Sequence, residues 1–117
     1  MVEQKITRGG VYLAKLNPSK ELEIGKVRPV IILNSQIILD ATPPVIFICP
    51  LSSKSYEAFS DLHVKLSSRN GLNNNSFALV EHCRSISISR LNHPRISQAS
   101  EIELDSITTR LQHLVGA

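Results

Sequence analysis

The chain has 117 residues, a formal net charge of +3 and a hydrophobic content of 42%. That length suits a single domain over residues 1–117, with a core that needs no metal or disulfide staple. No apolar run approaches the ~20 residues of a membrane span, and the N-terminus is strand-like where a secretion signal would be basic and then apolar. A cytoplasmic protein without membrane attachment is expected, and the mildly basic balance favours a polyanionic partner without requiring one.

In chain order, residues 11–16 have strand composition and Asn17-Pro18 stops them. Residues 19–27 are polar and read as a loop carrying Lys20, Glu23 and Lys26. Residues 28–33 form a fully buried strand by their continuous apolar run, with Arg28 as the last loop residue at its mouth. Pro29 sets that boundary, because a residue with fixed φ and no N–H is tolerated at the start of a strand and not in its middle. Residues 34–44 make a connection with at most a short turn around Ile37-Ile38-Leu39. Residues 45–51 are another central strand, ended by Ser52-Ser53-Lys54. Residues 62–66 alternate cleanly, which predicts a strand with one face to water.

After the turn at 68–71 and the polar Asn73-Asn74-Asn75, residues 76–83 form a further strand, and residues 84–88 continue it or pair beside it. From Ser100 the period becomes helical. Ser100 and Glu103 make a capping box, Ile102, Ile107, Leu111, Leu114 and Val115 fall roughly on one face, and Gly116 terminates the helix. About five strands and one helix predict a mainly β fold: a small barrel or strongly bent antiparallel sheet with a C-terminal amphipathic helix. Cys49 and Cys83 sit in apolar segments without metal-ligand spacing, so core thiols and no metal site are expected.

Several side chains stand out. Arg28, seated against a rigid strand, offers a fork of donors that matches two phosphate oxygens; its plainer alternative is pairing with Glu23 across the loop. Ser52, at the end of the adjacent strand, either donates to the same phosphate or caps a turn. Arg84 is a second basic candidate that alternatively holds a subunit interface or a carboxylate such as Glu81. His82 is either a proton-transfer group or a sheet histidine, whereas solvent exposure accounts for His63, His93 and His113. Lys20 and Lys26 suit backbone tracking, and Tyr56 and Phe59, after Ser52, suit base stacking.

Arg8-Gly9, Leu16-Asn17-Pro18, Glu23-x-Gly25-Lys26-x-Arg28-Pro29-Val30, Pro50-Leu51-Ser52, Gly71-Leu72, Ser76 and Glu81-x-x-Arg84-Ser85-Ile86 occur in the order and spacing of the MazF/PemK (Kid) toxins. The chain resembles that family over nearly its whole length. The resemblance implies an SH3-like barrel, a homodimer, and a sequence-specific, ribosome-independent mRNA interferase of a bacterial type II toxin–antitoxin system, acting on single-stranded RNA and restrained by an antitoxin with an acidic C-terminal tail. It implies Arg28 and Ser52 as catalytic residues, Glu23 or His82 for proton transfer, and Lys20, Lys26, Ser53, Lys54, Arg84 and Tyr56 for RNA binding. No metal or cofactor is expected, since the RNA's own 2′-OH can attack the adjacent phosphorus and leave a 2′,3′-cyclic phosphate and a 5′-hydroxyl. Three positions depart from the pattern: Gly10 where an acidic residue is usual, Ser52 where threonine is common, and Ser87 where many members carry aspartate. A related branch of the fold, CcdB, poisons DNA gyrase and cuts nothing, which makes a non-catalytic toxin the alternative.

Overall fold

The computed structural model describes residues 5–16, 26–54 and 57–116. Lys20, Glu23 and Tyr56 therefore lie outside the described residues, as does most of the loop that carries the first two. The elements are β1 (Gly10–Lys15), β2 (Val27–Ile32), α1 (Gln36–Asp40), β3 (Val45–Ser52), β4 (His63–Leu66), β5 (Ser76–Leu79), β6 (Arg84–Ser87), β7 (Leu91–Gln98) and α2 (Glu101–Val115). All pairings are antiparallel. The strand order is β4-β5-β3-β2-β1-β7, with β6 beside β3, and among the described residues the two ends do not pair. The result is a bent sheet and not a closed barrel.

The bend is made by β3, the longest central strand. Its first half, Val45 to Ile48, pairs with β6, whereas Leu51 and Ser52 pair with β5. Alternation along the strands then sorts the core into two sides. Val11, Ile31, Cys49, Leu51, Val64 and Ala78 pack on one side with Leu104 and Ile107 of α2. Tyr12, Ala14, Val30, Ile32, Ile48 and Ile86 pack on the other with Leu39 of α1.

Five expectations need correction. Arg28 lies inside β2, opposite Ala14, and is not the last loop residue. Pro29 is accommodated one step further in because β3 joins β2 only at Val30, so the proline has a strand on one side alone. The strand expected over 76–83 ends at Leu79, and Val80–His82 form a 3-10 turn that delivers the chain from β5 to β6. The sheet has seven strands and not about five; the unforeseen β7 is polar and contains Pro94, features that an edge strand paired only with β1 accepts. His63 is buried, and in β4 it is Lys65 that meets water.

The helix keeps its predicted start. Ser100 Oγ accepts from the Glu103 N–H at 3.1 Å and Glu103 Oε1 accepts from the Ser100 N–H at 2.8 Å. Its buried face differs from the expected stripe: Ile102 is 79% exposed, and every residue from Gln112 to Gly116 is exposed, Leu114 and Val115 included. Leu104, about 200° around the helix from Ile102, takes the core position together with Ile107. No helix among the described residues is long and apolar enough to cross a membrane.

Candidate active site

Pairing register sets Arg28 of β2 across from the serine. Val30 faces Pro50 and Ile31 faces Cys49; carried two residues further, the same register sets Arg28 opposite Ser52. At that level the pairing of β2 with β3 has ended, its last rung being Val30–Pro50, while Arg28 stays paired with Ala14 of β1 and Ser52 with Phe77 of β5. The sheet splits there, with Arg28 on one lip and Ser52 on the other. By alternation both share a side of the sheet with Val30 and Ile48. Arg84, opposite Ile48, is on that side too, as is Lys65, opposite Phe77. Three predicted site residues from three strands thus share one face. Arg84's rung lies four residues down β3 from Ser52, about 14 Å at the rise of an antiparallel strand.

Local structure fixes each of them. Lys26, just before β2, holds a left-handed backbone at φ 66°, where side-chain-bearing residues rarely sit. The Leu16 N–H donates to its carbonyl at 2.8 Å, so the chain entering Arg28 is pinned as well as strained. Arg28 itself is half-buried. Ser52 is 7% exposed, and its Oγ accepts from the Lys54 N–H at 3.1 Å. The turn-capping alternative is therefore realised, yet it uses only a lone pair and leaves the hydroxyl proton able to donate. Ser53 and Lys54 follow on the exposed surface, and Phe59 is 52% exposed.

The acidic side of the site differs from expectation. Glu81 does not pair with Arg84; its Oε2 lies 2.8 Å from His63 Nε2. Glu81 Oε1 and Arg84 Nη1 are both buried without a hydrogen-bond partner, an arrangement that costs about 1–3 kcal/mol per group. Between the Leu51–Ala78 and Ile48–Arg84 rungs, the edge of β3 is met by the Val80–His82 turn. The chain at Glu81 therefore passes beside β3 between the rungs of Ser52 and Arg84, but its carboxylate is directed to His63 of β4, and half-buried His82 follows it. Sequence reasoning treated Glu81 only as an alternative partner for Arg84, and read His63 as exposed. The signal that was available is the spacing Glu81-x-x-Arg84 across a turn.

Ser87, the position at which the resemblance led to the expectation of an aspartate, is remote. It pairs with Val45, seven residues before Ser52 and thus roughly 24 Å along β3, and alternation turns it to the opposite side of the sheet. Its Oγ is 2.9 Å from that of Ser89. Cys49 and Cys83 are free thiols. Burial pushes the Cys49 thiol well up, with Cys83 adding to the shift, so Cys49 behaves as a core residue. Among the described residues no group of three or more His, Cys, Asp or Glu side chains is placed to hold a metal ion.

Comparison with known proteins agrees with this architecture. The profile of the PemK-like, MazF-like toxins of type II toxin–antitoxin systems matches residues 7–115. The chain is 30% identical over 108 residues to the endoribonuclease EndoA of Bacillus subtilis, covering 92% of this chain and 91% of that protein. Among solved structures, MazF from Deinococcus radiodurans superposes with a TM-score of 0.83 at 20% identity, covering 98% of this chain and all of that one. A MazE–MazF structure from the same organism gives a TM-score of 0.76 at 22% identity, with 97% and 98% coverage. An endoribonuclease in complex with its cognate antitoxin from a mycobacterial species gives 0.73 at 14% identity, with 95% coverage of both. At such identities the structural matches speak for the fold.

Proposed function

The chain belongs to the PemK-like, MazF-like toxins of type II toxin–antitoxin systems, and from that premise we propose that it is a toxin that cuts single-stranded RNA without a metal ion. The observation that carries the reading is that Arg28 and Ser52 face each other where the pairing of β2 with β3 ends, with Arg84 further along the same face. The relative named as an endoribonuclease favours cleavage over the gyrase-binding alternative.

The chemistry asked of these residues is modest. The ribose 2′-OH attacks the adjacent phosphorus, its proton leaves, charge builds on the phosphorane oxygens, and the departing 5′-oxygen is protonated. Arg28 holds the phosphate with paired N–H donors and stabilises that charge as it develops. Ser52 donates its hydroxyl to the same group from the other lip of the split. Glu23 and His82 are the proton-transfer candidates read from sequence. Lys20, Lys26 and Lys54 track the backbone with Ser53, while Tyr56 and Phe59 stack bases. A homodimer is the working form, and a cognate antitoxin lays an acidic tail over the same cations, in competition with RNA. Solved relatives include antitoxin complexes, which supports that partner.

The test is incubation of the purified protein with a long single-stranded RNA in EDTA, beside Arg28→Ala, with the product ends mapped. Discrete cuts that bear 2′,3′-cyclic phosphates and vanish in the variant are expected. Intact RNA across several unrelated sequences would sink the ribonuclease, and cleavage only without chelator would sink metal independence alone.

A further inference from the structure

We propose that Cys49 and Cys83 are a redox modification site: hydrogen peroxide oxidises the Cys83 thiol, and Cys49 then closes a disulfide between β3 and the start of β6. The proposal goes beyond the ribonuclease reading and stands without it.

The register of β3 and β6 sets the two residues opposite each other. Val45 faces Ser87, Phe47 faces Ser85 and Ile48 faces Arg84; carried one residue further, the same register pairs Cys49 with Cys83. Hydrogen bonds show what kind of rung this is. The Ile88 N–H donates to the Pro44 carbonyl at 3.0 Å, so that rung is hydrogen-bonded, and antiparallel rungs alternate. Cys49–Cys83, five rungs on, is therefore of the non-hydrogen-bonded kind. Two further bonds agree. The Phe47 carbonyl accepts from the Leu33 N–H and so points away from β6, and the Cys83 N–H turns back to the Val80 carbonyl at 3.1 Å. In a non-hydrogen-bonded rung the Cα atoms are about 4.5 Å apart and the side chains are at their closest, within the roughly 4.4–6.8 Å that a disulfide spans.

Both side chains also point to one side of the sheet. Cys49 is fully buried in the core beneath α2, and Cys83 packs against that same core. Burial raises the Cys49 thiol most, and a side-chain hydrogen bond with the Cys83 thiol raises it further. The two sulfurs are thus hydrogen-bond neighbours in the reduced protein.

Access sets the order of events. Cys49 is closed to solvent and held protonated, which makes it inert alone. Cys83 is half-buried and meets the oxidant first. Its sulfur attacks one peroxide oxygen, the O–O bond breaks, and the other oxygen leaves with the thiol proton as water, giving a sulfenic acid. The Cys49 sulfur then attacks the sulfenic sulfur, the S–O bond breaks, and the hydroxyl leaves with the Cys49 proton as water. Two thiols have lost two electrons and the peroxide has become two waters. A partner thiol within reach spares Cys83 the irreversible steps to sulfinic and sulfonic acid. The bond closes residues 49–83, β4 and β5 included, into a covalent loop that restricts the unfolded chain.

The experiment treats the folded, reduced protein with a small excess of hydrogen peroxide and follows free thiols, intact mass, linked peptides and thermal melting. Wild type is expected to lose both thiols and about 2 Da, to yield a peptide linked through Cys49 and Cys83, to recover fully in dithiothreitol, and to melt no lower than the reduced form. Cys49→Ala should halt at a sulfenic acid on Cys83 that dimedone traps, at a yield at least about tenfold above wild type. Should Cys49→Ala not fold, Cys49→Val takes its place. Cys83→Ser should leave Cys49 unmodified by the same peroxide. Sulfinic acid on Cys83 with Cys49 still free, a disulfide between two chains, or equal dimedone labelling in wild type and Cys49→Ala would overturn the pair. Oxidation of Cys49 in Cys83→Ser would overturn the order of events, and a melting point below that of the reduced protein would show that the fold is not set for the bond.

Discussion

Arg28 owes its value to its neighbours. Pro29 fixes the backbone after it and the strained Lys26 lies two residues before it, so the guanidinium leaves a short, pinned stretch of chain. Replacement by alanine should reduce kcat by about 10²- to 10³-fold, the usual consequence of removing one donor from a developing oxyanion. Arg28→Lys keeps the charge without the fork, so its rate should fall between the two; equal activity in lysine and arginine forms would mean that charge alone suffices. Ser52 makes a sharper test because it does two things. Ser52→Thr keeps the hydroxyl and should keep cleavage, whereas Ser52→Ala should lose cleavage and about 1 kcal/mol of stability with the Lys54 cap. The sequence showed Arg28 leading into an apolar strand but misplaced the boundary, because Pro29 sits inside β2 where only one side of the strand is paired. The burial of His63 was not legible, because clean alternation in residues 62–66 shows that two faces differ and cannot show that both are covered.

At the scale of elements, α2 is secured at its N-terminus and left open at its other end. Its capping box was readable from Ser100 and Glu103, but the partner that makes Glu103 do more was not: Arg69, thirty-four residues earlier, donates Nη1 and Nη2 to its two oxygens at 2.7 and 2.6 Å. Burial alone would raise the Glu103 carboxyl, but Arg69 and the Ser100 N–H together bring it below the ordinary value of 4.5. A carboxyl lowered in the folded state contributes stability that is complete above its unfolded value and is lost as pH falls through the folded one. Thermal melting of the wild type should thus drop below about pH 4.5 more steeply than that of Glu103→Gln, and parallel curves would contradict the pairing. The loop that presents Arg69 depends on Gly71, which has φ +90° and a virtual Cβ only 1.6 Å from the Ile96 carbonyl oxygen. Gly71→Ala should therefore displace the loop from β7 and lose the Arg69 contact with it. The edge strand β7 itself was illegible for a physical reason: a strand paired on one side, its N–H groups partly unneeded, carries neither alternation nor a ban on proline.

For the molecule as a whole, the bent sheet gathers several cations on the side away from α2. Arg28, Lys65 and Arg84 share the face away from α2, with Lys26 and Lys54 at its margins, while Glu101, Glu103 and Asp105 begin the helix that covers the other face. A net charge of only +3 understates the field that a polyanion meets on the basic face. Binding of single-stranded RNA should then weaken with salt along a line of slope about −0.7 for each phosphate neutralised, so these five cations alone account for a slope of about −3.5. Lys54→Glu should flatten that slope, and Glu101→Lys, on the far side, should leave it unchanged. An acidic antitoxin tail seated on the same cations should show comparable salt sensitivity and be displaced by RNA. A slope near zero for either partner would place it on an apolar surface instead, and the exposed Leu114 and Val115 at the end of α2 would become the contact to test.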